Sequence, residues 1–232
     1  MAAAQETKAD NLHPRQRPEV TGGKSAYEKV KGRLTRAKIE LPAAGVSGKI
    51  TINQSGDKAL ILTEIEQIGT IQQGVADGVA WEVNPLTGPR VLEGDEKAGM
   101  LRSSRLDSEV NWRKYYPKAE AAGVEMVDGK PAYKLVLTPA EGNPTTQYYD
   151  QKSGLLVRSD SKQKSPMGEI PVEVYYSDYK KVDGILMPFK SVQQMFTQEL
   201  VLTIDEVKNN PEIPASTFAI PAEVQKLAEK KK

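Results

Sequence analysis

Three stretches of this 232-residue chain decide its fold: Val75-Ala-Asp-Gly-Val-Ala-Trp81, Val127-Asp-Gly-Lys-Pro-Ala-Tyr133 and Val182-Asp-Gly-Ile-Leu-Met-Pro-Phe189. Each contains an Asp-Gly dipeptide, which favours a tight hairpin turn because Gly, and to a lesser degree Asp, tolerates a positive φ angle. Each turn leads into an alternating strand that carries an aromatic residue. The distance from Asp to the aromatic residue differs between the three stretches, so they are independent hairpins and not a repeat. Together they predict an antiparallel meander.

The predicted strands are apolar mainly on one face. A broad apolar face is too wide for two modest helices to cover flat, so the sheet must curl around them, close on itself, or keep an apolar groove. Alternation places Trp81 on the inward face with Val79 and Val83, and it gives three further inward sets from later strands. We therefore expect the following residues to line an apolar interior, part of it left unfilled for a ligand: Trp81, Tyr133, Leu135, Leu137, Val174, Tyr176, Leu200, Leu202 and Ile204.

Two helices are expected. A short one covers residues 22–32, with Tyr27 and Val30 on one face and Gly32 as its end. A longer one covers Gly94 to Tyr116 and is terminated by Pro117. Because arginines and a lysine interrupt its narrow apolar stripe, this helix is expected to lie on a surface or to cover a cleft, on the concave side of the sheet.

The two ends of the chain are polar. Residues 1–21 contain two prolines and no evident apolar face, which predicts a disordered N-terminal tail. Residues 22–221 are expected to form one domain, and residues 222–232 a charged C-terminal tail. The first six residues, Met1 to Glu6, look like the small-residue remnant of a signal-peptidase site behind an initiating Met. They predict an exported protein whose signal peptide is absent from this chain; the alternative is a plain disordered N-terminus.

Composition excludes several classes of protein. The 32 basic and 31 acidic side chains give a net charge of +1, which does not favour binding to nucleic acid. The chain has no cysteine, which excludes disulfides, thiolate metal sites, cysteine nucleophiles and a lipidated cysteine. No run of residues approaches the ~20 apolar residues that span a bilayer, so a membrane-spanning protein is not expected.

The sequence contains few candidates for catalytic residues. The one histidine, His13, lies in the predicted tail beside Pro14, where no fixed base or ligand geometry is available. Glu64 and Glu66 would share a face of a strand, which allows paired-carboxylate chemistry, but a solvated strand face is the ordinary interpretation. Without a second histidine or any cysteine, neither a zinc site nor an activated serine is predicted. We therefore predict no enzyme, no metal and no cofactor.

The order of these elements resembles the LolA/LolB-like superfamily of bacterial lipoprotein carriers, and most closely its outer-membrane lipoprotein-sorting-like proteins. The resemblance covers roughly residues 22–221 as a pattern of elements. Its most specific parts are the strand Asp77-Gly78-x-x-Trp81-Glu82 and the closing phrase Asn210-Pro-Glu-Ile-Pro-Ala-Ser-Thr-Phe218-Ala-Ile-Pro221.

The resemblance implies a mainly β (α+β) fold: a single, strongly curved antiparallel sheet in an open half-barrel, with helices on the concave face. It implies a non-catalytic periplasmic carrier or sensor that binds acyl chains of a lipid or an acylated lipoprotein. Arg158, on a predicted strand, is a candidate for the arginine that holds the lid closed in the family's well-studied carrier. The missing lipidated cysteine favours the soluble periplasmic kind. The residues alone leave an alternative open, namely a protein-interaction module of the envelope with a filled core and no ligand.

Overall fold

A computed structural model of the chain describes residues 17–165, 168–196 and 198–229. Thirteen strands dominate it: β1 (Gly32–Leu41), β2 (Val46–Ser55), β3 (Lys58–Ile65), β4 (Gly69–Ala76), β5 (Val79–Asn84), β6 (Gly88–Val91), β7 (Lys118–Val127), β8 (Lys130–Thr138), β9 (Thr145–Asp150), β10 (Leu156–Ser165), β11 (Gly168–Val182), β12 (Ile185–Met195) and β13 (Gln198–Asn209). The helices are short: α1 (Arg17–Val20), α2 (Lys24–Glu28), α3 (Gly94–Ser103), α4 (Trp112–Tyr115) and α5 (Ala222–Glu229), with single 3₁₀ turns at Pro42–Ala44 and Ala215–Phe218.

The strands form one sheet in the order β6-β5-β4-β3-β2-β1-β13-β12-β11-β10-β9-β8-β7. Two meanders, β1–β6 and β7–β13, therefore meet at the β1–β13 pair. Because β6 and β7 are the two edges, the sheet is not closed into a barrel. The predicted mainly β fold with a single open antiparallel sheet is confirmed. The apolar run from Ala59 to Val75 forms two strands, β3 and β4, because the chain turns back at residues 66–68.

The three Asp-Gly dipeptides are two-residue hairpin turns, as predicted. Asp77-Gly78 joins β4 to β5, Asp128-Gly129 joins β7 to β8, and Asp183-Gly184 joins β11 to β12. Every one of these six residues has a positive φ, between 47° and 89°. A positive φ at both central positions is what a type I′ turn requires, and its twist matches that of the flanking strands.

The prediction of a single long helix over Gly94 to Tyr116 is wrong. The segment contains α3 and α4, separated by turns. The hydroxyls of Ser103 and Ser104 both donate to the carbonyl of Met100, at 3.2 and 2.6 Å. Serine side chains that bond the backbone of the preceding turn favour helix ends over helix interiors. The helix therefore stops at this serine pair, well before Pro117.

The two ends of the described chain are more ordered than the sequence suggested. Residues 17–20 of the expected N-terminal tail form α1, and the carbonyl of Thr21 accepts a hydrogen bond from the amide of Leu186. The expected C-terminal tail contains α5, whose Val224 is fully buried. Residues 1–16, including His13, and residues 230–232 lie outside the described part.

The chain divides into two compact units where the sequence suggested one domain. Among the described residues, the first-meander unit comprises residues 28–108 and 202–229, and the second-meander unit comprises residues 17–27 with the described part of 109–201. No described helix is long and apolar enough to cross a membrane.

Candidate functional site

One face of the first-meander unit carries a cluster of isoleucines. Directly paired residues of an antiparallel ladder share a face, so the register carries the face from strand to strand. We call this surface the helix-side face; following the pairs from Ala80 to β1, its apolar members are Ala80, Val75, Ala59, Ile71, Ile61, Ile65, Ile52, Ile50, Ala37 and Ile39. The same face also carries the polar residues Thr35, Gln54, Thr63 and Gln73 and the charged residues Arg33, Glu82 and Arg90, so its apolar part is the isoleucine cluster.

Helix α3 packs on the helix-side face at one corner. Met100 and Leu101 pack against a core of Val75, Ala80 and Leu92. The end of the helix is held above β2, because the amide of Gln54 donates to the carbonyl of Ser104 at 3.0 Å. No residue of α3 itself is fully buried. The helix is therefore a partial cover and not part of a sealed core.

A single arginine ties α3 to the sheet. Arg90 on β6 donates through Nε to Glu82 at 3.1 Å, and through both terminal nitrogens to Glu96 on α3, at 2.8 and 2.7 Å. Glu82 is held in turn by the amide of Gln73 at 2.7 Å. The hydrogen bonds from Arg90 lower the pKa of Glu96 below its ordinary value. Bidentate pairs of this kind fix geometry as well as charge, so Arg90 sets the position of the first turn of α3.

Much of the helix-side face is only partly covered. Five of its isoleucines are half-buried although they point to the side on which α3 lies: Ile50, Ile52, Ile61, Ile65 and Ile71. In a filled core, aliphatic side chains at the centre of a sheet are normally buried completely. This partly exposed isoleucine surface is the strongest candidate for a ligand site in the first-meander unit.

Trp81 does not belong to this surface. It pairs with Gly74 and Val91 on the opposite face, which we call the back face, and it is 2% exposed. The 3₁₀ turn at Ala215–Phe218 packs on β3 and β4, and α5 packs on β5 and β6. Ala228 of α5 lines a cavity of about 410 Å³ together with Val79 and Val91 of the back face.

Trp81 shares this face with Val79 and Val83, as the alternation predicts. The face lies opposite the one on which α3 packs, and the C-terminal 3₁₀ turn and α5 pack on the same strands.

In the second-meander unit, the register places five of the predicted residues on one face: Tyr133, Leu135, Leu137, Val174 and Tyr176. Leu135 forms a core with Tyr149 and Leu156, and Tyr133 and Tyr176 pack against it. Leu135 and Leu137 are 4% and 3% exposed, whereas Tyr133, Val174 and Tyr176 are half-buried. The structure thus brings these residues together on a face that is filled in part by its own side chains.

Three predicted residues lie on β13. Leu200, Leu202 and Ile204 are half-buried and alternate along the strand. Leu200 belongs to the second-meander unit, and Leu202 and Ile204 belong to the first-meander unit. The nine predicted residues are therefore divided between the two units.

Arg158 lies on the other face of the second-meander sheet. It pairs with Asp160 at 2.6 Å and with Glu173 at 2.9 Å, and its guanidinium lies 5.0 Å from the ring centre of Tyr148 and 5.6 Å from that of Tyr175. All these partners lie on strands of the sheet, so Arg158 links neighbouring strands to one another. Its contacts differ from those of Arg90, which joins the sheet to α3.

The contacts of Arg90 were not predicted, yet the sequence contains a signal for them. Glu82 and Arg90 stand directly opposite each other across the β5–β6 hairpin, and Glu96 lies in the first turn of the following helix. Opposite charges across a short hairpin are a common cross-strand pair. Among the described residues, no group of three or more His, Asp or Glu side chains is arranged to hold a metal ion.

Solved structures share this arrangement over nearly their whole length. A DUF1329 family protein from Desulfovibrio piger superposes with a TM-score of 0.57 at 15% identity, over 86% of this chain and 98% of its own. A LolA superfamily protein from Nitrosomonas europaea gives the same four values. The chain has a LolA-like fold. An outer membrane lipoprotein-sorting protein domain from Vibrio parahaemolyticus agrees, with a TM-score of 0.56 at 12% identity, over 89% of this chain and 97% of its own.

These identities establish the fold alone, and with it the resemblance read from the sequence is confirmed at the level of the fold. No protein-family profile and no curated protein sequence matches the chain.

Proposed function

We propose that this protein is a non-catalytic carrier or sensor that binds the acyl chains of a lipid or of an acylated lipoprotein in the bacterial periplasm. The observation that carries the proposal is the set of five half-buried isoleucines on the helix-side face. A contiguous apolar surface that the protein's own side chains leave partly open favours an apolar ligand. The LolA-like fold supports the same conclusion, because one protein that shares it is a lipoprotein-sorting domain.

The binding energy available from such a surface comes from apolar burial. Burying ~10–12 methylenes at about 0.8 kcal/mol each gives a gross gain of about 8–10 kcal/mol, from which the costs of association and chain ordering are subtracted. No polar group of the ligand's chain needs a partner, which fits a face whose isoleucines offer none. The site requires shape and apolar contact, and it requires no catalytic group.

Helix α3 is proposed as the movable part of the site. Met100 and Leu101 pack on the core but are not fully buried, and the tether of the helix to Arg90 lies at the surface, where the Glu96 side chain is 56% exposed. Exposed ion pairs contribute little to stability, typically 0.2–1 kcal/mol. An acyl chain that competes for the helix-side face therefore displaces α3 at a small cost.

A second function, that of an envelope protein-interaction module, is favoured by one observation. Leu135 and Leu137 of the second-meander unit are almost fully buried by protein side chains. If the helix-side face is likewise closed in solution, the protein has no ligand and recognises a protein partner.

Native mass spectrometry of the protein purified from a bacterial host, without detergent, separates the two functions. The carrier predicts bound species of lipid mass that dissociate at higher collision energy and that return when lipid is added to the stripped protein. A protein that carries no lipid and takes up none when phospholipid is supplied contradicts the carrier and supports the interaction module.

A further inference from the structure

The cavity that Ala228 lines, within the first-meander unit, combines an apolar lining with one basic side chain. Its volume of about 410 Å³ falls in the range of about 300–1,000 Å³ that small-molecule pockets occupy. The apolar residues of the lining are Val79 of β5, Val91 of β6, Leu92 and Ala228 of α5, and the charged ones are Glu93 and Lys97, where the chain enters α3. All of them belong to the same compact unit. We call this site the α3–α5 cavity.

The walls of the α3–α5 cavity are anchored to the protein. Helix α5 packs on β5 and β6, its Val224 is fully buried, and the amide of Val224 donates to the carbonyl of Pro221 at 2.9 Å. On the other side, Leu92 is 3% exposed and belongs to the core under α3. The amide of Lys97 donates to the carbonyl of Glu93 at 3.3 Å, which places Lys97 in the first turn of that helix. The cavity is therefore formed by the fold and not by a loop.

The ammonium of Lys97 is available to a ligand. Lys97 is half-buried, and across residues 17–165, 168–196 and 198–229 its side chain forms no hydrogen bond or ion pair. The adjacent carboxylate, Glu96, is held by both terminal nitrogens of Arg90. Partial burial removes some of the water around an ammonium, so an anion bound there gains more than it would at the open surface.

We propose that the α3–α5 cavity binds a small anionic amphiphile, whose carboxylate contacts Lys97 and whose short apolar body contacts Val79, Val91 and Ala228. The charge-assisted hydrogen bond orients the ligand, and burial of its apolar body supplies most of the affinity. One lysine matches a single negative charge, whereas the lining carboxylate of Glu93 opposes a doubly charged group such as a phosphate monoester.

This site is separate from the isoleucine cluster and does not rest on the proposed function. Val79 and Val91 lie on the back face, and the isoleucines lie on the helix-side face. A molecule bound in the α3–α5 cavity is therefore a second ligand of the protein.

The test is a titration of the full chain, followed by amide chemical shifts in two-dimensional NMR spectra, with octanoate, octanol and acetate as three separate probes. The amides of Lys97 and Ala228 report on the α3–α5 cavity, and those of Ile50 and Ile61 report on the isoleucine cluster. Octanoate should shift the Lys97 and Ala228 amides saturably and bind there roughly fivefold more tightly than octanol. Acetate, which lacks the apolar body, should bind there at least about tenfold more weakly than octanoate.

Three variants assign the preference to Lys97. In Lys97→Gln the affinity ratio of octanoate to octanol at the Ala228 amide should fall to about one, while binding of octanol is retained. Lys97→Arg keeps the positive charge and should keep most of the ratio. Lys49→Gln removes an exposed lysine of the same unit that does not line the cavity, and it should keep the wild-type ratio. The spectra themselves show whether each variant is folded.

The outcomes separate this site from the proposed acyl site. Octanoate shifts at Ile50 and Ile61 with none at Lys97 and Ala228 overturn the α3–α5 site and leave the carrier intact. Equal affinities of octanoate and octanol at Ala228 in the wild-type protein, or an unchanged ratio in folded Lys97→Gln, also overturn it. Saturation by acetate with the affinity of octanoate identifies a free-anion site and overturns the assignment to an amphiphile.

Discussion

Replacing Gly74 with alanine tests the assignment of Trp81 to the back face. A Cβ added at Gly74 would lie 2.3 Å from Cζ2, 2.4 Å from Cε2 and 2.7 Å from Nε1 of Trp81. The indole cannot move aside easily, because Trp81 is 2% exposed. Overpacking of this kind typically costs about 1–3 kcal/mol of unfolding free energy. We expect Gly74→Ala to lower stability by that amount, measured by urea unfolding with far-UV circular dichroism.

A double-mutant cycle shows that the loss comes from the indole. Trp81→Phe introduces a smaller ring without Cζ2 and Nε1, and it also removes an indole N–H that is buried with no hydrogen-bond partner in the described structure. The cost of Gly74→Ala should therefore fall by about 1 kcal/mol or more in the Trp81→Phe background. Gly99 on α3 is the control, since a Cβ there meets nothing within 4 Å, and Gly99→Ala should stabilise the protein by about 0.5–1 kcal/mol. An equal cost of Gly74→Ala in both backgrounds would show that the ring does not lie over Gly74.

Three further predictions concern the tether, the C-terminal helix and a hairpin turn. Glu96→Gln should speed amide hydrogen exchange in α3 with no change in β2. Because Arg90 lowers the pKa of Glu96, the ion pair in the wild-type protein is complete above the ordinary glutamate pKa and is lost as the pH falls through the lowered pKa. Amide exchange in α3 that accelerates with rising pH by more than the intrinsic rate does would contradict the pairing. Val224→Ala should cost about 1.5–3 kcal/mol in a thermal melt because Val224 is fully buried, whereas a solvated C-terminal tail would tolerate it. Gly129→Ala should cost about 1–2 kcal/mol because Gly129 has a φ of 74° with open space around it, and an unchanged melting temperature would show that the turn is not of type I′.

The hairpins and the sheet could be predicted from sequence because their signals are local. Asp-Gly at three turns fixes a backbone conformation through two residues, and the alternation beyond each turn fixes the strand. The faces of Tyr133, Leu135 and Leu137 followed in the same way. Such patterns report which residues share a face, whatever the rest of the chain does.

The parts that failed depend on contacts distant in sequence. Alternation places Trp81 and Ala80 on opposite faces of β5, but it does not tell which of the two faces α3 covers; α3 packs on the face of Ala80. Elements far away in the chain decide which of the two faces of a strand each helix covers. The sequence of α5 is mostly charged and predicts a solvated tail, whereas the structure buries its Val224. The hydrophobic pattern also predicts that the helix continues beyond Ser103 and Ser104, but their hydroxyls bond the backbone carbonyl of Met100 and favour the end of α3.

A titration with a fluorescent fatty-acid probe tests the carrier most directly, with two variants of adjacent residues on β3. Ile61 lies on the helix-side face and Leu62 on the back face, and both are half-buried. We expect saturable binding of the probe to the wild-type protein. Binding to Ile61→Arg should be at least roughly tenfold weaker, because a charge placed in an apolar site costs more than about 1.4 kcal/mol. Leu62→Arg should bind the probe with an affinity within about twofold of the wild-type protein. Both variants are checked for folding by circular dichroism. Absence of saturable binding to the wild-type protein, or equal losses in the two folded variants, would contradict an acyl-binding site on the helix-side face.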